Sequence, residues 1–325
     1  MAEATTRGRS ADAGVFGIVK AAVGDFLDDD CQTQAAAISY YTIFSLPPLL
    51  VLLLMLAGAV WDPRDIEGAL RGQIEGLMGA GSAQQVQTML AKTDQLGGKG
   101  ILATVIGFAA LLLGATGTFG ALQAALNRAW EVKPDPKQGG LKAFLLKRVF
   151  SFGMILSLAF LLLVSLALSA VVSALGDALS GMVGGGINDV LLLVLNHAVS
   201  LAMITLLFAA MFKILPDARV SWRDVWVGGF ATALLFEIGK FLIGFYLGRS
   251  NPGEAFGAAG ALALMLVWIY YSAMIVLLGA EFTQQWANTR GGGIEPEEGA
   301  VRVVEQVREV RPEAGPGAVE ERRGL

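Results

Sequence analysis

Apolar residues gather into six long stretches: 35–60, 101–127, 149–175, 190–212, 225–247 and 258–282. Each holds 23 or more residues, and a helix needs about 20 to cross a hydrocarbon core of ~30 Å. The fold class expected is an all-α membrane protein with six transmembrane helices. Before the first stretch, Val15, Ile18, Val19, Ala22, Val23 and Phe26 recur at helical spacing within 13–30. This amphipathic helix either lies in the membrane interface or packs on the bundle. Between the first two stretches, Asp62-Pro63 and then Ser82 with Gln85 start two short amphipathic helices in the loop 62–100. The organisation expected is a disordered tail over 1–12, a six-helix domain over 13–287, and a mostly disordered tail over 288–325. That last tail carries only a weak helix near 301–310.

Composition agrees with a membrane protein. The chain is 54% hydrophobic and 16% charged, with a mean hydropathy of +0.60; a soluble domain carries about 25% charge. The basic residues divide unevenly between the loops. The side of the N-terminus holds 18 and the opposite side 5, and 12 against 5 remain without the C-terminal tail. By the positive-inside rule, both termini face the cytoplasm. Trp61, Trp130, Trp222, Trp226 and Trp286 stand at stretch ends, where an indole ring favours the headgroup layer. No short apolar core of a cleavable signal peptide precedes them.

Several positions interrupt the apolar pattern. Pro47 and Pro48 remove the donors that would bond the carbonyls of Ile43 and Phe44, which predicts a kink. Ser39, Thr42 and Ser45 stand close enough to help satisfy the freed groups. Gly114, Gly117 and Gly120 in the second stretch, and Ser165, Ser169 and Ser173 in the third, form small-residue faces for helix packing. Ser221 is placed to cap the fifth stretch, with Asp224 three residues on.

Glu237 and Lys240 are the most suggestive chemistry. They lie ~18 and ~22 Å along the fifth helix from Val225. Ionisable groups at such depth are costly and face protein or water. At i, i+3 they can reach each other. They line a substrate path, or they form a structural pair with Lys240 snorkelling outward. Trp268 and Tyr271 of the sixth stretch reach a comparable depth, where an aromatic ring could meet the lysine. Tyr40, Tyr41, Pro47 and Pro48 of the first stretch, and Gln123 and Asn127 at the end of the second, complete the candidate path. His197 reads as a bundle residue.

Other chemistries find little support. The single histidine and single cysteine do not make a zinc site of several such ligands. No phosphate-binding glycine loop and no nucleophile elbow are present. No catalytic residue, metal or cofactor is expected. The basic loop lacks the aromatics of an RNA-binding surface, so nucleic acid is not an expected partner. The expected partners are membrane lipids, with a second copy of the chain or envelope-biogenesis proteins beside them.

Three segments together resemble one family. They are AAAISYYTIFSLPPLL ending at Leu50, LLGATGTFGALQAALNRAWEV over 112–132, and the block from ILPDARVSWRDVWVGGFATALLFEIGKFLIGFYLG to GAAGALALMLVWIYYSAMIVLLGAEFT over 214–283. The chain thus resembles the YihY/BrkB family of bacterial inner-membrane proteins, over about 30–285. The resemblance implies six spans and cytoplasmic termini, and it stops before the tail after 290. The family has carried the label ribonuclease BN, which these residues do not support, and a virulence association that is a phenotype. The reading that follows is a transporter or lipid translocator without its own ATPase, acting in envelope biogenesis. A non-transporting membrane scaffold for envelope partners is the alternative, and a ribonuclease ranks third.

Overall fold

The computed structural model describes residues 14–57, 68, 117–135, 187–250 and 260–303, with side chains beyond Ser45 in the first segment left aside. The helix α1 spans Val15–Asp28 and α2 spans Cys31–Ala57. Residues 117–129 form α3, followed by β1 at Val132–Pro134. Then come α4 at Ile187–Ile214, β2 at Ala218–Arg219, α5 at Trp222–Ser250 and α6 at Gly260–Arg290. Two more short strands close the described chain, β3 at Glu295–Pro296 and β4 at Ala300–Arg302. Within α4, α5 and α6, the segments His197–Ile214, Trp222–Ile243 and Met265–Arg290 are long and apolar enough to cross a membrane. The third span with Ser165, Ser169 and Ser173, the outer-loop helices, Trp61, Gly114, the 1–12 tail and the chain beyond 303 lie outside the described residues.

Among the described elements, α6 packs on α2, α5 and α1, while α4 packs on α5. The helices α5 and α6 cross closely. A methyl group added at Gly228 would collide with the Thr283 side chain, and one added at Gly279 would collide with Thr232. Each threonine hydroxyl donates to the glycine carbonyl one turn back on its own helix: Thr232 to Gly228 at 2.7 Å and Thr283 to Gly279 at 2.6 Å. The two Gly-x-x-x-Thr turns therefore interlock reciprocally, and both threonines are fully buried. On the next position of α5, an added carbon at Gly229 would come within 2.8 Å of the Ala209 backbone nitrogen of α4. Adjacent glycines thus admit two different neighbours, as small residues do where helices meet without water.

Aromatic rings continue this core from the turn after α3 across α4, α5 and α6. Trp130 meets Phe212, Phe212 stacks with Phe208, Phe208 meets Phe236, and Phe236 meets Trp268, at centroid distances of 5.9–6.5 Å. Trp130 departs from the headgroup placement expected of it. It is buried, and its indole N–H donates to the Ala280 carbonyl at 3.1 Å. A free donor inside an apolar core finds the nearest carbonyl. Trp222 and Trp226 are exposed at the start of α5, as an end position suggests.

The tail after α6 also departs from expectation. Gly291 and Gly293 both donate back to the Ala287 carbonyl, with Gly293 at φ 79°, and the helix ends there. The chain then returns across the bundle end. The strand β3 pairs antiparallel with β2, and β4 pairs antiparallel with β1. Glu297 N–H donates to Asp217 O at 3.0 Å, Val303 N–H to Glu131 O at 2.7 Å, and an Arg302 guanidinium N–H to Ile294 O at 2.9 Å. Polar composition suggested disorder, but two short strand edges offer backbone partners that the tail completes. Residues near 135, 218 and 300 therefore share one end of the bundle, called here the capped end.

Other expectations shift in detail. The helix α2 continues through Pro47 and Pro48. Ser39, Thr42 and Ser45 donate to the carbonyls of Ala36, Ile38 and Thr42, at 2.7–3.0 Å, and not to those of Ile43 and Phe44. A serine or threonine hydroxyl reaches back along its own helix, whereas those two carbonyls belong to the residues between them. Of the second-span glycines, Gly117 packs under the Tyr41 ring, but Gly120 is exposed with open space around it. Ser221 caps α5 by accepting from Arg223 N–H at 3.2 Å. The buried carboxylate of Asp224 stays in the positive first turn of α5, close against Gly291.

The glycine–threonine interlock makes a direct prediction. Gly228→Ala and Gly279→Ala should each destabilise the protein in detergent by roughly 1–3 kcal/mol through overpacking. Gly120→Ala should not lower the melting temperature, and as an exposed helical position should raise it slightly. Equal effects at all three positions would refute the tight crossing.

Candidate functional site

The pair expected on α5 is formed. Lys240 Nζ lies 2.8 Å from Glu237 Oε2 and 3.1 Å from Oε1. One turn of helix brings the two charges together, and both sit ~22–27 Å along α5 from Trp222. The side chains remain 29% and 28% exposed, for Lys240 and Glu237 respectively. They mark the seam between two faces of α5. Gly239 and Ile243 on one side are buried against the bundle, while Ile238, Phe241 and Leu242 on the other are exposed. An added carbon at Gly239 would come within 2.6 Å of Tyr271 Oη, so the Tyr271 ring lies directly over the backbone between the charged residues. Trp268 is buried nearby, edge to face with Phe236. His197, read from sequence as a bundle residue, is exposed. It lies ~12–18 Å along α4 from the Gly229 contact, and Lys240 lies ~16 Å along α5 from it, so the two reach similar depth.

The remaining candidates gather elsewhere. Tyr40 and Phe44 are exposed and meet edge to face at 5.0 Å. Tyr41 covers Gly117, and Ser45 hydrogen-bonds Thr118 at 3.0 Å, which joins α2 to α3. Pro47 and Pro48 lie in α2, but their side chains fall outside the described set. Gln123 and Asn127 form a latch at the capped end. Asn127 donates to Asp217 Oδ2 at 2.8 Å and accepts from the Asp217 backbone N–H at 2.8 Å, and Gln123 donates to Asp217 Oδ1 at 3.3 Å. These bonds hold the loop between α4 and β2 onto α3. The structure thus brings Glu237, Lys240, Tyr271 and Trp268 to one level of the bundle, and Gln123 and Asn127 to another.

A buried polar layer near the capped end gave little sequence signal. Cys31 Sγ donates to Glu281 Oε1 at 3.6 Å, and both residues are fully buried. Gln285 donates to Asp25, which ties α1 to α6. Burial pushes the Cys31 thiol well above its usual range, the Glu281 carboxylate beside it adds to the rise, and Arg128 opposes it. The only hint was the presence of Asp25, Glu281 and Gln285 beside apolar runs. Among the described residues, no three His, Cys, Asp or Glu gather to hold a metal ion.

The comparisons with known proteins place the chain among membrane proteins. The profile described as Virulence factor BrkB matches residues 22–302. The chain is a membrane-protein member of that family. The match runs through β3 and β4, so the resemblance reaches beyond residue 290, where the sequence reading ended it. A UPF0761 membrane protein of Alkalilimnicola ehrlichii is 32% identical over 81% of this chain and 56% of its own length. A UPF0761 membrane protein of Psychrobacter sp. is 28% identical over 82% of this chain and 48% of its own length. The chain thus spans about half the length of these two relatives. A protein of Bacillus subtilis named as ribonuclease-like, YfkH, is 26% identical over 77% of this chain and 88% of its own length. No solved structure matches.

Two measurements probe the capped end. Asn127→Ala should cost roughly 1–3 kcal/mol of stability, because it removes the acceptor of the Asp217 N–H and one donor to the Asp217 carboxylate. Gln123→Ala should cost less. Cys31 should resist maleimide in the folded protein at pH 8, since its thiol stays protonated and covered, and should label fully once unfolded. Rapid labelling of the native protein would show that the buried layer is open to solvent.

Proposed function

We propose that this protein moves lipids or lipid-like amphiphiles across a bacterial inner membrane, without an ATPase of its own, in envelope biogenesis. The observation that carries this reading is the Glu237–Lys240 pair. It lies deep along a membrane-length helix and is partly open at the seam of an exposed apolar face. Lys240 is held 2.8 Å from Glu237 and is not stretched outward without a partner. A polar seam beside lipid lowers the barrier that a headgroup meets in hydrocarbon. Spans 1, 5 and 6, seen as α2, α5 and α6, would line the path, with α6 between the other two. The excess of basic residues on the loops of the capped end supports cytoplasmic termini. No enzymatic activity is proposed, ribonuclease included.

A scaffold reading draws on a different observation. Val15, Phe16, Val19, Val23 and Leu27 of α1 are exposed apolar residues, while Ile18, Ala22, Asp25 and Phe26 pack inward. Such a face suits a membrane interface or an envelope partner. It would leave the α5 pair without a role in transport.

Reconstitution separates the two. Wild-type protein in liposomes should speed the exchange of a fluorescent phospholipid between leaflets. Glu237→Gln and Lys240→Met should each slow that exchange by about tenfold, as expected if one charge is stranded at a cost above ~1.4 kcal/mol. Wild-type protein that moves no labelled lipid, with or without an ion gradient, would favour the scaffold.

A further inference from the structure

We propose that the Glu237–Lys240 seam is a binding site for the headgroup of a zwitterionic phospholipid bearing a primary amine, of the phosphatidylethanolamine class. This inference rests on the lipid reading above and assigns its substrate.

The pair satisfies only part of its own hydrogen-bonding capacity. An ammonium has three donors, and a carboxylate accepts at about four positions. Their mutual contact at 2.8–3.1 Å uses a minority of these, and more than a quarter of each side chain stays uncovered. In hydrocarbon the remainder must be met by something polar. A partner that completes both groups needs an anion for Lys240 and N–H donors for Glu237, side by side. A phosphate next to a primary ammonium has that arrangement. A quaternary choline supplies positive charge but no N–H, so it would leave Glu237 with an unsatisfied acceptor. A glycerol headgroup supplies the phosphate and neutral hydroxyl donors, but no cation to balance the Glu237 carboxylate.

The surroundings favour a lipid over a soluble zwitterion. The seam opens onto Ile238, Phe241 and Leu242, which are 58%, 73% and 56% exposed. A soluble ligand would gain nothing from these side chains, whereas acyl chains would lie along them. Tyr271, held over Gly239, walls the other side, so the headgroup would enter from the lipid side of α5.

The test uses the full chain in nanodiscs of equal phosphatidylethanolamine, phosphatidylcholine and phosphatidylglycerol, with carried-over lipids weighed by native mass spectrometry. Wild-type protein should retain the ethanolamine lipid about threefold or more over each of the others. Glu237→Gln should lose that preference and shift toward phosphatidylglycerol, because the lysine then faces an anion alone. Lys240→Gln should lose retention of all three, and Lys240→Arg should restore it. Glu237→Asp keeps the charge and should keep the preference, which guards against a folding defect in Glu237→Gln. Equal retention by wild-type protein, as from a seam filled only by water, overturns the proposal; so does a preference that survives in Glu237→Gln. Displacement of the bound lipid by soluble phosphoethanolamine also overturns it, and reassigns the seam to a soluble zwitterion. Leaflet exchange measured on the same preparations separates this inference from the transport reading. Exchange without headgroup preference leaves transport standing and removes the proposed site. Preference without exchange leaves the site standing and removes transport.

Discussion

The helices α5 and α6 approach so closely at Gly228–Thr283 and Thr232–Gly279 that no β-carbon fits at either glycine. Between apolar helices in a membrane, water cannot drive association, and close packing must do so. The reciprocal arrangement also removes a liability. Each threonine hydroxyl, which would be costly if unbonded in an apolar environment, is satisfied within its own helix. Because α6 contacts α2, α5 and α1, this crossing sets where the other helices can go. It also sets the register that places Tyr271 over Gly239, beside the charged pair.

The capped end is organised by a different force. Here the chain is polar, and backbone hydrogen bonds do the joining. The segment after α6 stitches the loop behind α3 to the loop behind α4 through two short antiparallel pairings. Asp217 stands at the middle of this work: its carboxylate and N–H engage Asn127, and its carbonyl engages Glu297. Trp130 and the Cys31–Glu281 contact lie just beneath. Further from this end, α5 exposes Ile238, Phe241 and Leu242 on one face.

Three of the six expected spans can be compared with the structure among the described residues, and they were legible in the sequence. A stretch of 23 or more apolar residues has few alternatives to a spanning helix, because hydrocarbon leaves the backbone no other way to satisfy itself. That argument uses composition and length alone, which is why α4, α5 and α6 appear where the pattern placed them. The contact between Glu237 and Lys240 was legible for a similar reason, since i, i+3 neighbours on a helix share a side. Partner choice was not legible. Gly228 and Gly279 look no more special in sequence than Gly114, Gly117 or Gly120, and only the crossing reveals which glycines meet a neighbour. Trp130 shares the end-of-span position of Trp222, yet one is buried and the other exposed, because an aromatic ring takes whichever surface tertiary packing presents. The tail over 291–303 carries too few apolar residues to announce order; its structure comes from strand edges contributed by residues far away in the chain. Local chemistry thus decided what each segment could be, and long-range contact alone decided which segments would meet.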